Sequence, residues 1–254
     1  MIITLLGTGT SHGVPVAGCS CPVCISDRIE NNRYRCSLWI QKGDTSVIID
    51  TAPEFRLQAI RAGITKVDGV VITHAHADHL HGIDDLRPFS WKKEIPIYAQ
   101  KSVTREIRDR FPYIFNPPGQ GGGTPQISLQ SIKEEETWVI GTAEITAIPI
   151  MHGKLHILGY RIGNLAYITD CSAIPESSFS LLEGLEVLIL GALRYKPHET
   201  HFSIPEAIEV IKKISPGRAY LTHLCHDVDH FQLKADLPKG IEPAWDGLKI
   251  ILPE

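Results

Sequence analysis

The sequence predicts an α/β fold, in the broad sense that includes α+β, built as a four-layer αββα sandwich. Many short segments are rich in β-branched residues and are bounded by Gly, Pro, Asp or Asn, as strands are. These segments follow one another in both halves of the chain, and the few helical patterns fall between them. Two packed sheets with helices on both outer faces accommodate this order. A doubly wound sheet is the competing layout.

Twelve segments are predicted to be strands. They are residues 2–6, 36–41, 46–50, 69–73, 95–99, 137–140, 145–149, 157–162, 166–169, 187–190, 219–222 and 249–252. Three of these segments end directly before a histidine or an aspartate, so the edge of a sheet could gather polar side chains there.

Helical periodicity and end signals predict three helices, at residues 53–62, 102–110 and 203–214. The first begins with Pro53, which suits an early helical position, and Gly63 follows it as a stop signal. The third has Ser203 as its N-cap and Glu206 in its first turn, and its apolar residues recur along one face. Helices of this kind can cover the outer face of a sheet.

The bulk composition indicates a soluble globular protein, with 43% hydrophobic and 21% charged residues in 254. A single domain over residues 1–254 is expected at this length. The net charge of -4 provides no general attraction for nucleic acid or for anionic membranes. The N-terminus lacks the basic region of a signal peptide, and no run of about 18 apolar residues occurs, so a cytoplasmic location without membrane contact is expected.

A dense group of potential metal ligands follows the apolar segment 70–73. Residues 74–79 read His-Ala-His-Ala-Asp-His, which places four ligand side chains in six positions. Imidazole and carboxylate groups suit zinc, manganese or iron, and their spacing is dense enough for two metals. A plain polar turn would not need this concentration of ligands. The chain is therefore predicted to be a metal-dependent hydrolase.

Three further residues have ligand side chains at the ends of predicted strands, namely His152, Asp170 and His223. Each of them alone would be an ordinary strand-end residue. Because a sheet edge can gather such residues at one rim, their combination with the dense cluster favours a common site.

The series His-x-His-x-Asp-His, followed by a distant His, Asp and His, resembles the metal ligands of the metallo-β-lactamase superfamily. The resemblance runs from Gly7 to Asp246 and implies the αββα fold. It also implies two metal sites that share Asp170 as a bridging ligand. The first would be held by His74, His76 and His152, and the second by Asp78, His79 and His223.

A pair of metals about 3.5–4 Å apart lowers the pKa of a shared water and stabilises displacement at phosphorus. The Asp78-His79 pair resembles the phosphodiesterase and ribonuclease Z branch of the superfamily, whereas true β-lactamases need a different second-metal ligand set. The resemblance thus implies a phosphodiesterase that uses a hydroxide bridging two ions, either Mn or Zn. Small cyclic phosphates or nucleotide-type phosphodiesters are the expected substrates.

The segment Cys19-Ser20-Cys21-Pro22-Val23-Cys24 places three thiols in six residues, a spacing typical of structural zinc. A fourth ligand is needed, and Cys36, Cys225 and His226 are the candidates. The segment resembles the zinc loop of the PhnP-like phosphodiesterases of the carbon–phosphorus lyase pathway. In that family a histidine shortly after the last active-site histidine completes the site, which implies His226 here.

The leaving alkoxide of a phosphodiester needs a proton, and a histidine can supply it. His201 is the predicted donor because it lies just before the helix at 203–214, whose N-terminus favours a phosphate. The related phosphodiesterases and ribonuclease Z have a histidine with this role at the same place. His198 is the alternative donor. The expected catalytic residues are His201 and Asp78, the latter also as a metal ligand.

Two other functions compete with the phosphodiesterase. A ribonuclease Z-like endonuclease for transfer RNA 3′ ends would need a long protruding arm, and the Gly- and Pro-rich segment 116–125 is short for that purpose. This segment is instead interpreted as a surface loop, either a lid over the site or a plain connection. A zinc-dependent accessory protein without turnover is the other alternative. The resemblance also implies a homodimer.

Overall fold

A computed structural model describes residues 1–116 and 123–253, and within these residues fourteen strands form two sheets of seven strands each. The strands are β1 (Ile2–Gly7), β2 (Ser37–Lys42), β3 (Thr45–Ile49), β4 (Gly69–Val71), β5 (Ile95–Gln100), β6 (Ile127–Ile132), β7 (Thr137–Ile140), β8 (Ala143–His152), β9 (Leu155–Ile162), β10 (Leu165–Ile168), β11 (Val187–Gly191), β12 (Arg218–Thr222), β13 (Ile241–Pro243) and β14 (Lys249–Ile251). The α-helices are α1 (Phe55–Ala62), α2 (Ala77–Leu80), α3 (Arg87–Ser90), α4 (Lys101–Arg110), α5 (Pro112–Phe115), α6 (Ile204–Ile214) and α7 (His230–Asp236).

The first sheet has the strand order β14-β1-β2-β3-β4-β5-β6, and the second has the order β13-β12-β11-β10-β9-β8-β7. The two sheets pack face to face over aliphatic side chains from both, such as Leu38 and Leu158. Each sheet also packs against its outer helices through one further apolar cluster. The predicted αββα sandwich is therefore confirmed, and the doubly wound alternative is wrong because each sheet has its helices on one face.

Parallel strands bring polar residues to one edge of each sheet. Strands β3 to β6 are parallel neighbours in the first sheet, and β10 to β13 are parallel neighbours in the second. Asp50 directly follows β3, His74 lies three residues after the end of β4, Asp170 lies two residues after the end of β10, and His223 directly follows β12. The two sheets are joined near this edge, since the Tyr160 hydroxyl donates a hydrogen bond to the carbonyl oxygen of Ile72.

Three of these strand-end residues have a left-handed backbone. The φ angles of Asp50, Asp170 and His223 are 62°, 51° and 60°. Residues with a Cβ atom rarely adopt this region because the side chain crowds the following carbonyl group. Such conformations persist where the surrounding structure holds them, and they cluster at functional sites.

The helix that begins after Ser203 forms as the sequence predicts. The Ser203 hydroxyl accepts a hydrogen bond from the backbone N–H of Glu206, and the Glu206 carboxylate accepts one from the backbone N–H of Ser203. This reciprocal capping box fixes the start of α6 and therefore the loop that precedes it. Helix α1 begins at Phe55, two residues later than predicted, and Gly63 ends it with a φ of 71°.

Strands β6 and β13 and helices α2, α3, α5 and α7 were not predicted. Strand β6 has polar, partly exposed residues in its centre, so it lacks the alternation of a half-buried strand. Strand β13 is three residues long and ends at Pro243, and α2, α3 and α5 are single turns. Elements this short contain too few residues to show a period. Only the pairing with neighbouring strands and the packing under the sheets define them.

No helix within residues 1–116 and 123–253 combines the length and the apolar character needed to cross a membrane. The loop at 116–125 that the sequence suggests as a lid lies mostly outside the described residues. None of the six cysteines forms a disulfide bond within the described residues.

Candidate metal centre and active site

Three imidazoles from the two sheets lie close enough together to hold one metal ion. His74 and His76 belong to the segment after β4, and His152 is the last residue of β8. One nitrogen of each ring lies within 4.8 Å of the other two. His152 Nδ1 lies 2.7 Å from the backbone carbonyl oxygen of Thr200, to which it can donate. That hydrogen bond leaves the lone pair on His152 Nε2, which is the atom that a metal would use.

A second group, made of Asp78, His79, Asp170 and His223, is buried beside the first. Asp170 Oδ1 lies 3.2 Å from His79 Nε2, and Asp170 Oδ2 lies 3.1 Å from His223 Nε2. Asp170 Oδ2 also lies 4.0 Å from Nε2 of His74, which belongs to the first group. The Asp170 carboxylate is therefore positioned between the two groups, where a ligand shared by two ions would have to lie.

Asp50 is a residue of this site that sequence reasoning missed. Its Oδ2 lies 2.7 Å from His79 Nδ1, and it accepts hydrogen bonds from the backbone N–H and the hydroxyl of Thr73. The contact orients the His79 ring so that Nε2 faces Asp78 and Asp170. A signal was present, because Asp50 follows a buried β-branched strand just as Asp170 does. Its role depends on a partner 29 residues away, which strand patterns do not identify.

The donor atoms of this centre suit metal ions. Nε2 of His74, His79 and His223 is buried in each case without a hydrogen-bond partner among residues 1–116 and 123–253. Carboxylate oxygens lie within 3.2 Å of the last two, but not at the angles of a hydrogen bond. Buried nitrogens without partners are costly, and imidazole with carboxylate is a common ligand set for zinc and manganese. The residues present therefore fit bound divalent cations.

The charges at the centre favour a cation as well. Burial raises the pKa of Asp170, but the imidazoles of His223 and His79 outweigh it and hold this pKa well below its usual range. Burial likewise lowers the pKa of His223, but Asp170 outweighs it and raises this pKa to about 10. The ionised carboxylate therefore stabilises positive charge beside it, either an imidazolium or a metal cation that displaces the imidazolium proton.

The cysteine cluster forms a separate group with His226. The Nδ1 atom of His226 lies 3.3 Å from the Sγ atom of Cys19, 3.5 Å from that of Cys21 and 3.6 Å from that of Cys24. A tetrahedral zinc ion with ordinary bond lengths separates its sulfur and nitrogen ligands by about 3.5 Å. The four side chains are therefore spaced as a closed Cys3His site requires.

The other two candidates for the fourth ligand lie elsewhere. Cys36 Sγ is directed to the carbonyl oxygen of Gly9, and Cys225 Sγ accepts a hydrogen bond from the backbone N–H of Asp227. Neither belongs to the group of potential ligands around His226. The backbone N–H of Cys24 donates to Cys21 Sγ and lowers the pKa of this thiol to about 6, whereas burial raises the pKa of Cys24 to about 11, so Cys21 is the thiol that ionises first.

His201 lies at the mouth of the metal centre, in the loop that leads into α6. Its Nε2 lies 3.3 Å from Asp170 Oδ2, and its ring stacks on that of His223 with 4.9 Å between the centroids. Burial lowers the pKa of His201, and the contact with Asp170 opposes this in part. His198 is exposed and lies behind His201, with 3.3 Å between their Nδ1 atoms. Of the two predicted proton donors, His201 is the one next to the centre.

Comparisons with known proteins agree with this geometry. Residues 45–224 match the family model described as "Beta-lactamase superfamily domain". A crystal structure described as a new diphosphatase from the PhnP family superposes with a TM-score of 0.93 at 39% identity, covering 99% of this chain and 98% of that one. Zn²⁺-bound PqqB from Methylobacterium extorquens has the same fold, with a TM-score of 0.83 at 18% identity over 99% of this chain and 100% of that one.

A longer relative is the octanoyltransferase of Porphyromonas gingivalis (strain ATCC BAA-308 / W83). It is 39% identical over 258 residues, which cover 98% of this chain and 51% of that protein. This chain therefore spans about half the length of that relative. Since the family model covers most of the chain and the PhnP-family structure matches nearly all of it at 39% identity, the chain belongs to the metallo-β-lactamase superfamily and, within it, to the PhnP family.

Proposed function

We propose that this protein is a binuclear metal-dependent phosphodiesterase that acts on small phosphodiesters or cyclic phosphates. The observation that carries the proposal is the position of the Asp170 carboxylate between two sets of ligand side chains. One ion would be held by His74, His76 and His152, and the other by Asp78, His79 and His223. Asp170 would bind both ions, which would be manganese or zinc.

Two such ions would lower the pKa of a water molecule and offset the negative charge that develops at phosphorus. The side chains around the two proposed ions would have different roles. Asp50 orients His79, and the carbonyl oxygen of Thr200 orients His152. His201 lies beside Asp170 at the mouth, where it can donate a hydrogen bond to a phosphoryl oxygen or a proton to the leaving oxygen.

The relatives support hydrolysis at phosphorus. The PhnP-family structure is described as a diphosphatase, and this chain shares its fold over nearly its whole length. Octanoyl transfer is not proposed for this chain, which covers only half of the Porphyromonas protein. Acyl transfer through a cysteine would require a thiolate near the centre. Burial raises the pKa of Cys171, the cysteine next to Asp170, to about 12, so its thiol stays protonated.

A structural zinc ion is the second part of the proposal. Cys19, Cys21, Cys24 and His226 would form a closed site that ties the loop after β1 to the segment after β12. Closed sites of this kind contribute to folding and have no open position for a substrate. A homodimer and a cytoplasmic location remain predictions from the sequence.

Hydrolysis of bis(p-nitrophenyl) phosphate tests the proposed function. The purified protein should release p-nitrophenol when Mn²⁺ or Zn²⁺ is added, and chelation should abolish the release. An absence of hydrolysis with every divalent metal would instead favour the accessory protein without turnover. Salt-sensitive binding of transfer RNA precursors in a gel shift would favour the ribonuclease Z-like alternative.

A further inference from the structure

A cavity of about 330 Å³ lies on the outer face of the first sheet, between α1 and the paired strands β1 and β14. Its volume is within the range of ligand pockets in proteins. None of the residues around it belongs to the groups of potential metal ligands, so the cavity is separate from the metal centre. The lining consists of Thr4, Leu5, Leu6, Ile29, Gln58, Arg61, Ala62, Trp245, Asp246, Gly247 and Lys249.

The lining carries more positive than negative charge. Arg61 and Lys249 are its two cations, and Asp246 has its only carboxyl group. Both oxygens of that carboxyl group are engaged elsewhere, because Oδ1 accepts a hydrogen bond from the Thr8 hydroxyl and Oδ2 accepts one from the backbone N–H of Tyr34. Burial also raises the pKa of Asp246 to about 7. The lining therefore holds at most one negative charge against two positive charges.

The two cations of the lining are not paired with carboxylates. Arg61 Nη2 donates a hydrogen bond of 3.1 Å to the backbone carbonyl oxygen of Asp246. This bond orients the guanidinium without neutralising it, and the other N–H groups stay available to an anion. Neither Arg61 nor Lys249 forms an ion pair with any residue in the described part of the chain. An anion in the cavity would therefore find two uncompensated cations.

Two buried polar side chains of the lining each have an atom without a hydrogen bond. Thr4 and Gln58 are each 1% exposed, and Thr4 Oγ1 and Gln58 Oε1 find no partner within residues 1–116 and 123–253. Gln58 Nε2 donates to the carbonyl oxygen of Arg35, which defines the orientation of the amide and leaves Oε1 as an acceptor. Buried polar atoms without partners are costly. A ligand with hydroxyl groups could supply both missing hydrogen bonds.

We propose that this cavity binds a small organic anion that carries hydroxyl groups, either a sugar phosphate or a hydroxy acid. The anionic group would lie against Arg61 and Lys249. Hydroxyl groups of the ligand would donate to Gln58 Oε1 and form a hydrogen bond with the Thr4 hydroxyl, and apolar side chains such as Ile29 would contact the carbon skeleton. Binding is non-covalent, and the site is independent of the proposed phosphodiesterase activity.

The indole N–H signal of Trp245 reports binding locally, because Trp245 lines the cavity. In ¹⁵N-labelled protein, Trp245→Phe assigns this signal among those of the four tryptophans. D-Ribose 5-phosphate or L-malate should shift the signal to saturation, whereas D-ribose, which lacks the charge, should not do so at the same concentrations. The anion with the lower Kd identifies the ligand as a phosphate or a carboxylate. Saturation by neither anion would overturn the proposal.

Variants of the two cations test the charge contacts. Arg61→Gln should raise the Kd of the tighter probe about 10- to 100-fold, because a charged hydrogen-bond partner is lost. Lys249→Gln should raise it about 3- to 10-fold, since lysine acts as a point charge. Arg56→Gln is the matched control, because Arg56 is an exposed arginine in the first turn of the same helix and lies outside the lining. It should leave the Kd unchanged.

Thr4→Val tests the hydroxyl contact, because it replaces a hydroxyl group without a partner by a methyl group of the same shape. The free energy of unfolding should not fall, whereas the Kd should rise about 2- to 10-fold. Equal Kd values in wild type, Arg61→Gln and Thr4→Val would overturn the proposal. Inorganic phosphate that binds as tightly as both organic anions would overturn the assigned ligand class, since it makes no contact through a hydroxylated carbon skeleton.

Discussion

Asp50 Oδ2 lies 2.7 Å from His79 Nδ1, and both side chains are completely buried. The contact defines which nitrogen of His79 carries its proton and which one faces the centre. Outer carboxylates of this kind orient metal-binding histidines and make them stronger ligands. The backbone N–H and the hydroxyl of Thr73 donate hydrogen bonds to Asp50 in turn. Both oxygens of the Asp50 carboxylate therefore have hydrogen-bond partners.

Asp50→Asn should weaken metal binding, because the amide cannot accept all three of these hydrogen bonds. The expected loss of affinity for the second metal is about 10- to 100-fold. It is measured by competition with a chromogenic chelator. Asp68→Asn is the control, since Asp68 accepts a hydrogen bond from the backbone N–H of Ser46, at the start of the strand that Asp50 follows. Equal metal affinity in the two variants would contradict the role of Asp50.

Cys21→Ser should release about one equivalent of zinc and lower the thermal midpoint, because a structural zinc site couples metal binding to folding. The metals that we propose to lie at His74 and His223 should be retained. Elemental analysis of the purified protein measures the change. Cys36→Ala is the control, since Cys36 is buried but lies outside the Cys3His group. An unchanged zinc count in Cys21→Ser would rule out the structural site.

His201→Ala should reduce kcat for bis(p-nitrophenyl) phosphate about 10²- to 10⁴-fold, the range for loss of a general acid. The metal content should stay at the wild-type level. His156→Ala, which changes an exposed histidine, should keep the full rate. Because one nitrogen of His201 lies within 4.8 Å of ligand atoms of His152 and Asp170, loss of a metal in the variant would assign His201 as a ligand instead.

The buried carboxyl group of Asp246 should make the free energy of unfolding depend on pH. Burial raises its pKa to about 7, although it accepts hydrogen bonds from the Thr8 hydroxyl and the Tyr34 backbone N–H. The folded protein therefore holds this proton more tightly than the unfolded chain, in which the pKa is about 4. The contribution of Asp246 to stability is full below pH 4 and is lost as the pH rises from about 4 to 7.

Asp246→Asn should remove this dependence, which amounts to about 1 kcal/mol per pH unit at its steepest. Urea unfolding at several pH values between 4 and 7.5 measures it, with wild type and variant compared at each value. If the free energies of unfolding of the two proteins change in parallel over this range, the buried carboxyl is not the source of the effect.

Much of the candidate site could be predicted from local patterns. The ligands after β4 lie within six residues, so their proximity follows from the chain itself. His152, Asp170 and His223 could be added because each follows a recognisable strand, and the structure brings all of them together. The capping box at Ser203 is equally local, and α6 begins there. Strands β6 and β13 escaped prediction because their pairing partners, rather than their own residues, define them.

The sequence by itself determined the ligand types, the cysteine spacing and the superfamily, since these depend on neighbours in the chain and on strand ends. The tertiary structure alone decided that Asp50 orients His79. It also places His226, which the resemblance implies, next to the three thiols, whereas Cys36 and Cys225 lie elsewhere. These contacts join residues up to about 200 positions apart. Their geometry depends on how the two sheets pack, which no local pattern encodes.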